Sequence, residues 1–114
     1  MATYQAAQSG VITPLLISAT TGTGVGVSLP MTFRNHCFII RGDTTVGAGA
    51  IQLETAHAPD YTGTWAAITT PITVVSSAEV IFQYVGILPC VRARVSTTVT
   101  TSAASVDYYG GYGS

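Results

Sequence analysis

The feature that most constrains the fold of this chain is a two-residue alternation of apolar and polar side chains. In residues 91–95, Arg92 and Arg94 share one face of an extended strand, whereas the two valines and Ala93 share the other face. The same alternation recurs in residues 50–54 and 80–84. No window has apolar residues at the helical spacing i, i+3, i+4, i+7, so the chain is predicted to contain only strands.

Half-buried strands need a second apolar layer, and in a chain without helices that layer must be another sheet. The predicted fold is therefore all-β, a two-sheet antiparallel β-sandwich that is jelly-roll-like, with about eight or nine short strands. Residues 11–109 form the predicted sandwich domain, residues 1–10 an N-terminal arm and residues 110–114 a flexible Gly/Tyr tail. The predicted strands are residues 11–18, 24–29, 36–41, 48–55, 65–68, 72–75, 80–85, 91–96 and 105–109.

Charge is scarce in this chain. Charged residues make up 8% of it, lysine is absent, and the formal net charge is −1. Binding to nucleic acid requires several cations gathered in one patch, so nucleic acid is excluded as a partner. Surface charge also keeps isolated domains apart in solution. We therefore expect a homo-oligomer.

The apolar content of the chain does not indicate a membrane protein. The run 11–17 is interrupted by Thr13 and Pro14 and falls short of the ~20 residues that a spanning helix needs. The first ten residues lack the basic start and apolar core of a secretory signal, so synthesis and assembly in a cytoplasm are expected. Cys37 and Cys90 are then predicted to be reduced, with a disulfide between them as the alternative.

Chemically active residue types are scattered along the sequence. His36 lies in a predicted strand and His57 in a loop, without metal-ligand spacing, and neither cysteine is marked as an activated nucleophile. The glycines of residues 21–28 are followed by a strand and Pro30 rather than by a helix, so they are not a dinucleotide fingerprint. We predict no catalytic residue, no cofactor and no metal site.

Trp65 follows a turn at residues 59–63 and allows two interpretations. An exposed indole beside Asp60 and Tyr61 would be a platform for stacking sugars, which indicates a carbohydrate-binding module. A buried indole that bonds a carbonyl through its N–H would instead cap the sandwich core. The burial tendency of tryptophan favours the second interpretation.

Several segments together resemble small β-sandwich modules of tailed-bacteriophage virions. They are the strand 51–55, the turn and tryptophan of 60–65, the Val-Arg-Ala-Arg-Val strand 91–95 and the short strand 105–109. The resemblance covers roughly residues 38–109. It implies a structural virion component: a head-decoration (cement) subunit that self-associates and binds the capsid shell through the major capsid protein. A neck or tail component is the alternative within this class, and a carbohydrate-binding module of a receptor-binding assembly is the alternative outside it.

The candidate interaction residues are two arginines and three tyrosines. Arg92 and Arg94 are predicted either to have partners across strands or across subunits, or to remain solvated. The candidate partners are Glu54, Glu79, Asp107 and neighbouring carbonyls. Successive strand residues face opposite ways, so one of Tyr108 and Tyr109 should face the core and the other the surface. Tyr112 is predicted to anchor the tail to a neighbouring subunit or shell protein, with a frayed end as the alternative.

Overall fold

The computed structural model describes residues 5–6 and 11–112, with side chains for residues 11–111. The described residues contain ten strands. In chain order they are β1 (Gln5–Ala6), β2 (Thr13–Ala19), β3 (Val27–Ser28), β4 (Phe33–Gly42), β5 (Ala50–Ala56), β6 (Ala66–Ala67), β7 (Ile72–Thr73), β8 (Glu79–Val85), β9 (Cys90–Thr97) and β10 (Ala104–Tyr112). Each of the nine predicted strands overlaps one of β2 to β10. The additional strand, β1, lies in the predicted N-terminal arm and pairs in parallel with β3.

The strands form two sheets, and all pairings except that of β1 with β3 are antiparallel. One sheet has the order β2-β10-β4-β8. The other has the order β1-β3-β9-β5-β6, with β7 also paired to β5. From β2 onward, every connection except those among β5, β6 and β7 crosses from one sheet to the other. This alternation is the jelly-roll arrangement, and the predicted all-β sandwich is confirmed.

The core lies between the two sheets and follows the predicted alternation. Ile51 and Leu53 of β5, and Val91 and Ala93 of β9, are fully buried on the inner face of one sheet. The other sheet contributes β4, β8 and β10 residues at every second position. The members with no exposed surface are Phe38, Ile40, Ala104, Val106 and Tyr108. Val80, Phe82 and Tyr84 of β8 are partly buried and pack against them.

The end of β10 differs from the predicted boundary at residue 109. Gly110 and Gly111 pair with His36 and Asn35 of β4, so the strand continues through the glycines to Tyr112. A side chain at position 110 would collide with the Tyr108 hydroxyl. The glycine is therefore required by packing, and residues 110–112 belong to the sandwich instead of to a flexible tail. Residues 113–114 lie outside the described part of the chain.

Candidate functional site

The outer face of the six-stranded sheet carries a shared ion pair. Register places Glu54 of β5 opposite Arg92 of β9, with Arg94 next to it. The Arg92 Nε lies 2.8 Å from one carboxylate oxygen of Glu54, and the Arg94 Nε lies 3.1 Å from the other. Glu54 is buried, Arg92 is partly buried, and Arg94 is the most exposed of the three. Of the candidate carboxylates, Glu54 is the one that both arginines contact.

Trp65 covers this ion pair from the loop between β5 and β6, residues 57–65, which we call the covering loop. The Arg92 guanidinium carbon lies 4.2 Å from the centre of the Trp65 ring, a cation–π contact. The indole N–H donates to the carbonyl of Tyr61 at 2.9 Å, and the side chain is only 4% exposed. The indole is therefore buried, as the burial tendency favoured. It lies on the outer face over Arg92 and not between the two sheets.

Two further features, at Gly26 and Gln52, help to cover the outer face of the six-stranded sheet. A side chain at Gly26 would lie within 3.0 Å of both the Pro59 Cα and the Trp65 ring, so the absence of a side chain lets the loop lie flat. The buried Gln52 amide donates to the carbonyls of Leu53 and Thr69. The chain thus covers much of this face with its own residues.

The outer face of the four-stranded sheet is different, because large apolar side chains lie exposed on it. The register of β10, β4 and β8 places Tyr109, Cys37 and Gln83 in one row across the strands. The next row contains Ile39 and Ile81, and Val85 lies toward the end of β8. Ile81, Val85 and Tyr109 are exposed, whereas Cys37 and Ile39 are partly exposed. We call this surface the open face; it consists of Cys37, Ile39, Ile81, Gln83, Val85 and Tyr109.

One ion pair borders the open face. The Arg41 guanidinium lies 2.8 Å from the carboxylate of Asp107, and both side chains come from neighbouring strands. Arg41 also lines an open cleft of about 560 Å³ that Asp43 and Glu79 share. The remaining lining residues are Gly42, Ser77, Ala78 and Ser105. No local sequence pattern marks this cleft, because the residues that form it are brought together only by the pairing of β4 with β8 and β10.

The two tyrosines of β10 face opposite ways, as predicted. Tyr108 is fully buried, and Tyr109 lies on the open face. The Tyr108 hydroxyl donates to Nδ1 of His36 at 2.5 Å, and the Nε2–H of His36 donates to the Gly86 carbonyl at 2.8 Å. Tyr112 is paired with Phe33 through the backbone, and its side chain is outside the described residues, so its anchoring role stays a prediction.

Burial controls the ionisation of this buried pair. It lowers the pKa of His36 below the ordinary value of 6.5, against the opposing effect of the hydrogen bond to Gly86. It also raises the pKa of the Tyr108 hydroxyl far above its usual range. Both groups are therefore neutral at pH 7, as the donor and acceptor pattern requires. The sequence predicted His36 to be a strand residue and gave no indication of its partner. Its position in phase with Phe38 and Ile40 is the one signal of its burial.

Both cysteines are free. Cys37 is on the open face, whereas Cys90 is buried and its thiol lies 2.9 Å from the carbonyl of Ala56. Burial raises the pKa of both thiols, which is the opposite of the shift that activates a cysteine nucleophile. His57 packs edge-on against Tyr61, with 4.9 Å between the ring centres. In residues 5–6 and 11–112, no three His, Cys, Asp or Glu side chains cluster as a metal site.

The fold and its surfaces define a jelly-roll β-sandwich with one covered and one open sheet face. No helix in the described part of the chain has the length and apolarity to cross a membrane. No protein-family model matches the chain, and neither a curated protein nor a solved structure matches it.

Proposed function

We propose that this chain is a non-enzymatic structural protein of a bacteriophage particle, a head-decoration (cement) subunit that self-associates and binds the capsid shell. The observation that carries the proposal is the open face. Ile81 is 57% exposed and Val85 78% exposed, and the aromatic ring of Tyr109 lies on the same surface. Exposed apolar and aromatic surface of this kind is typical of protein–protein contacts.

The distribution of charge supports an assembly role. Arg92 and Arg94 are bound to Glu54 within the chain, and Arg41 is bound to Asp107. These ion pairs leave little charge on the open face itself. A subunit that remains packed against neighbours does not need the surface charge that keeps isolated domains soluble.

The fold agrees with this class of function by analogy. Jelly rolls occur in viral capsid proteins and also in lectins. A fold does not determine function, so the surfaces must decide between these two classes. The burial of Trp65 against Arg92 removes the one indole that could have served as a sugar platform. This disfavours the carbohydrate-binding alternative.

The proposal is tested on particles. Particles produced by the phage or prophage that encodes the chain are purified on a density gradient, and the chain is located with gold-labelled antibody. We expect the chain to sediment with the particles and the label to cover the heads. Label confined to the neck or tail would support the alternative virion component. Absence of the chain from particles, when it is present in the same lysate, would overturn the proposal.

A further inference from the structure

Strand β8 forms one edge of the four-stranded sheet and pairs only with β4 among the described residues. Two hydrogen bonds show which residues of β8 bond to β4. The Gly86 N–H donates to the Arg34 carbonyl at 2.9 Å, and the Gly42 N–H donates to the Ala78 carbonyl at 3.2 Å. In an antiparallel strand, the N–H and C=O groups of successive residues point to opposite sides of the strand. The even-numbered residues of β8 therefore hydrogen-bond to β4. The four odd-numbered residues therefore direct their backbone N–H and C=O groups to the free edge: Glu79, Ile81, Gln83 and Val85.

The other sheet edges in the described part of the chain are protected from pairing. Strand β2 contains Pro14, a positive φ of 46° at Ser18, and register shifts in its pairing with β10. Strands β1, β6 and β7 have two residues each. Proline, irregularity and shortness are the devices by which natural sheets prevent edge-to-edge pairing.

Strand β8 has none of these devices. It has seven residues, a continuous register with β4 and no proline, and its only charged residue is Glu79 at one end. An edge of this kind is a template for another strand.

We propose that the free edge of β8 pairs antiparallel with β8 of a second copy of this chain, about a two-fold axis at Phe82. In this register, Ile81 of each copy exchanges backbone hydrogen bonds with Gln83 of the other, and Glu79 does so with Val85. In this register, two residues lie opposite each other when their numbers add up to 164. All four residues whose backbone groups point to the free edge are therefore hydrogen-bonded to the second copy. The two four-stranded sheets become one continuous sheet.

The side chains of β8 are complementary to themselves in this register. On the outer face, the two Ile81 side chains become diagonal neighbours across the new pair, and each Val85 lies beside the stem of a Glu79. On the inner face, Phe82 lies opposite Phe82 at a closely spaced, non-hydrogen-bonded position, where aromatic pairs are favourable. Phe82 is only partly buried within one chain, so the second copy would bury its remaining surface.

Charge permits a second copy as the partner. Glu79 is the one charged residue of β8 and lies at its start, in register with Arg41 of β4. Antiparallel pairing keeps the two Glu79 residues six positions apart, about 20 Å at the rise of a strand, so that like charges are not opposed.

The inference rests on the self-association included in the proposed function, and its test is independent of particles. The full-length chain is compared with two variants, Ile81→Lys and Gln83→Pro, by light scattering over a range of concentrations. Lysine on an edge strand prevents edge-to-edge pairing in natural sheets. Proline at position 83 removes a backbone N–H that points to the free edge and does not bond to β4. We expect the native mass of both variants to be half that of the unchanged dimer. Ile17→Lys is the matched control, because Ile17 is 75% exposed on the protected edge strand β2, and it should keep the dimer mass.

Amide hydrogen exchange tests the register. In the dimer, the amides of Ile81, Gln83 and Val85 should exchange at least about tenfold more slowly than in the Ile81→Lys variant. The amides of Phe82 and Tyr84, which bond to β4, should be protected in both and so report an intact sandwich. A monomeric unchanged chain, or variants that keep the dimer mass, would overturn the inference. Particle labelling would still decide the proposed function in either case. Protection of the odd-numbered amides only on particles would assign the edge to a different virion protein and would also overturn it.

Discussion

Tyr108 and His36 form a buried hydrogen bond of 2.5 Å that joins the inner sides of β10 and β4. Their rings are 5.8 Å apart, and the Tyr108 ring also packs edge-on against Phe38 at 5.3 Å. A buried polar pair of this kind stabilises a fold only while each group keeps its partner. The pair therefore gives the sandwich two measurable sensitivities, one to mutation and one to pH.

Replacing Tyr108 with phenylalanine should destabilise the protein. The ring is kept, but Nδ1 of His36 loses its donor in a site closed to water, at a cost of about 1–3 kcal/mol in the free energy of unfolding. Chemical denaturation measures this difference. Tyr109→Phe is the control, because Tyr109 is exposed on the open face, and its effect should stay within about 0.5 kcal/mol. Equal effects of the two substitutions would contradict the role of the buried bond.

Stability should fall as the pH drops below about 6.5. Burial lowers the pKa of His36 from the ordinary 6.5, so below that pH the unfolded chain takes up a proton that the folded chain does not bind. The unfolded state then binds more protons, and the loss from this residue continues until the pH reaches the lowered pKa of His36.

The measurement is the free energy of unfolding at several pH values between 7.5 and 5. His36→Gln should have a shallower slope than the unchanged protein, by at most about 1.4 kcal/mol per pH unit. Gln83→Ala, a substitution of an exposed neutral side chain on the open face, is the control and should leave the slope as it is. If His36→Gln and the unchanged protein have parallel pH profiles, His36 does not carry this dependence.

Replacing Glu54 with glutamine should cost more than removing Arg94. The carboxylate is buried and bonds both Arg92 and Arg94, so glutamine leaves both cations without their counter-charge. Because the two guanidinium groups are partly solvated, the cost should be about 1–3 kcal/mol. Arg94→Ala should cost less than about 1 kcal/mol, because Arg94 is the more exposed partner. Thermal and denaturant unfolding give the order, with exposed Asp60→Asn as the neutral control. A larger loss of stability for Arg94→Ala than for Glu54→Gln would contradict the central role of Glu54 in this ion pair.

Adding a methyl group at Gly110 should destabilise the sandwich. An alanine Cβ at this position would collide with the Tyr108 hydroxyl and lie 2.8 Å from the Phe33 ring. Overpacking of this kind costs about 1–3 kcal/mol. Gly47→Ala is the control, because a Cβ there would meet only the side-chain hydroxyls of Thr100 and Thr101, which can rotate away. An unchanged melting temperature for Gly110→Ala would contradict the packing of this residue in the sandwich and would support the flexible tail that the sequence predicted.

Local alternation was sufficient to predict which side chains share a face of a strand. Arg92 and Arg94 separate from Val91 and Ala93, and Tyr108 separates from Tyr109, because side-chain direction in a strand depends only on neighbours in sequence. Fold class followed from the same signal, since half-buried strands without helices must pack as two sheets.

Partner identity could not be predicted in this way. The choice of Glu54 over Glu79 and Asp107 depends on β5 lying beside β9, which is a property of the topology and not of any short segment. The partnership of His36 with Tyr108 depends likewise on the pairing of β4 with β10. The end of β10 was missed because a glycine that fits beneath a neighbouring ring has the same local pattern as a glycine in a linker.

The covering loop makes the two outer faces of the sandwich different from each other. The open face is on one side of the sandwich, whereas the loop with Tyr61 and His57 lies over the opposite sheet. A neighbour seated against the open face would therefore leave the loop directed away from the contact. Exposed loop tips with polar residues are where changes are best tolerated. A label coupled to a cysteine at the exposed position of Thr62 would leave the length of the loop unchanged and would be displayed outward on an assembled array, with every copy in the same orientation.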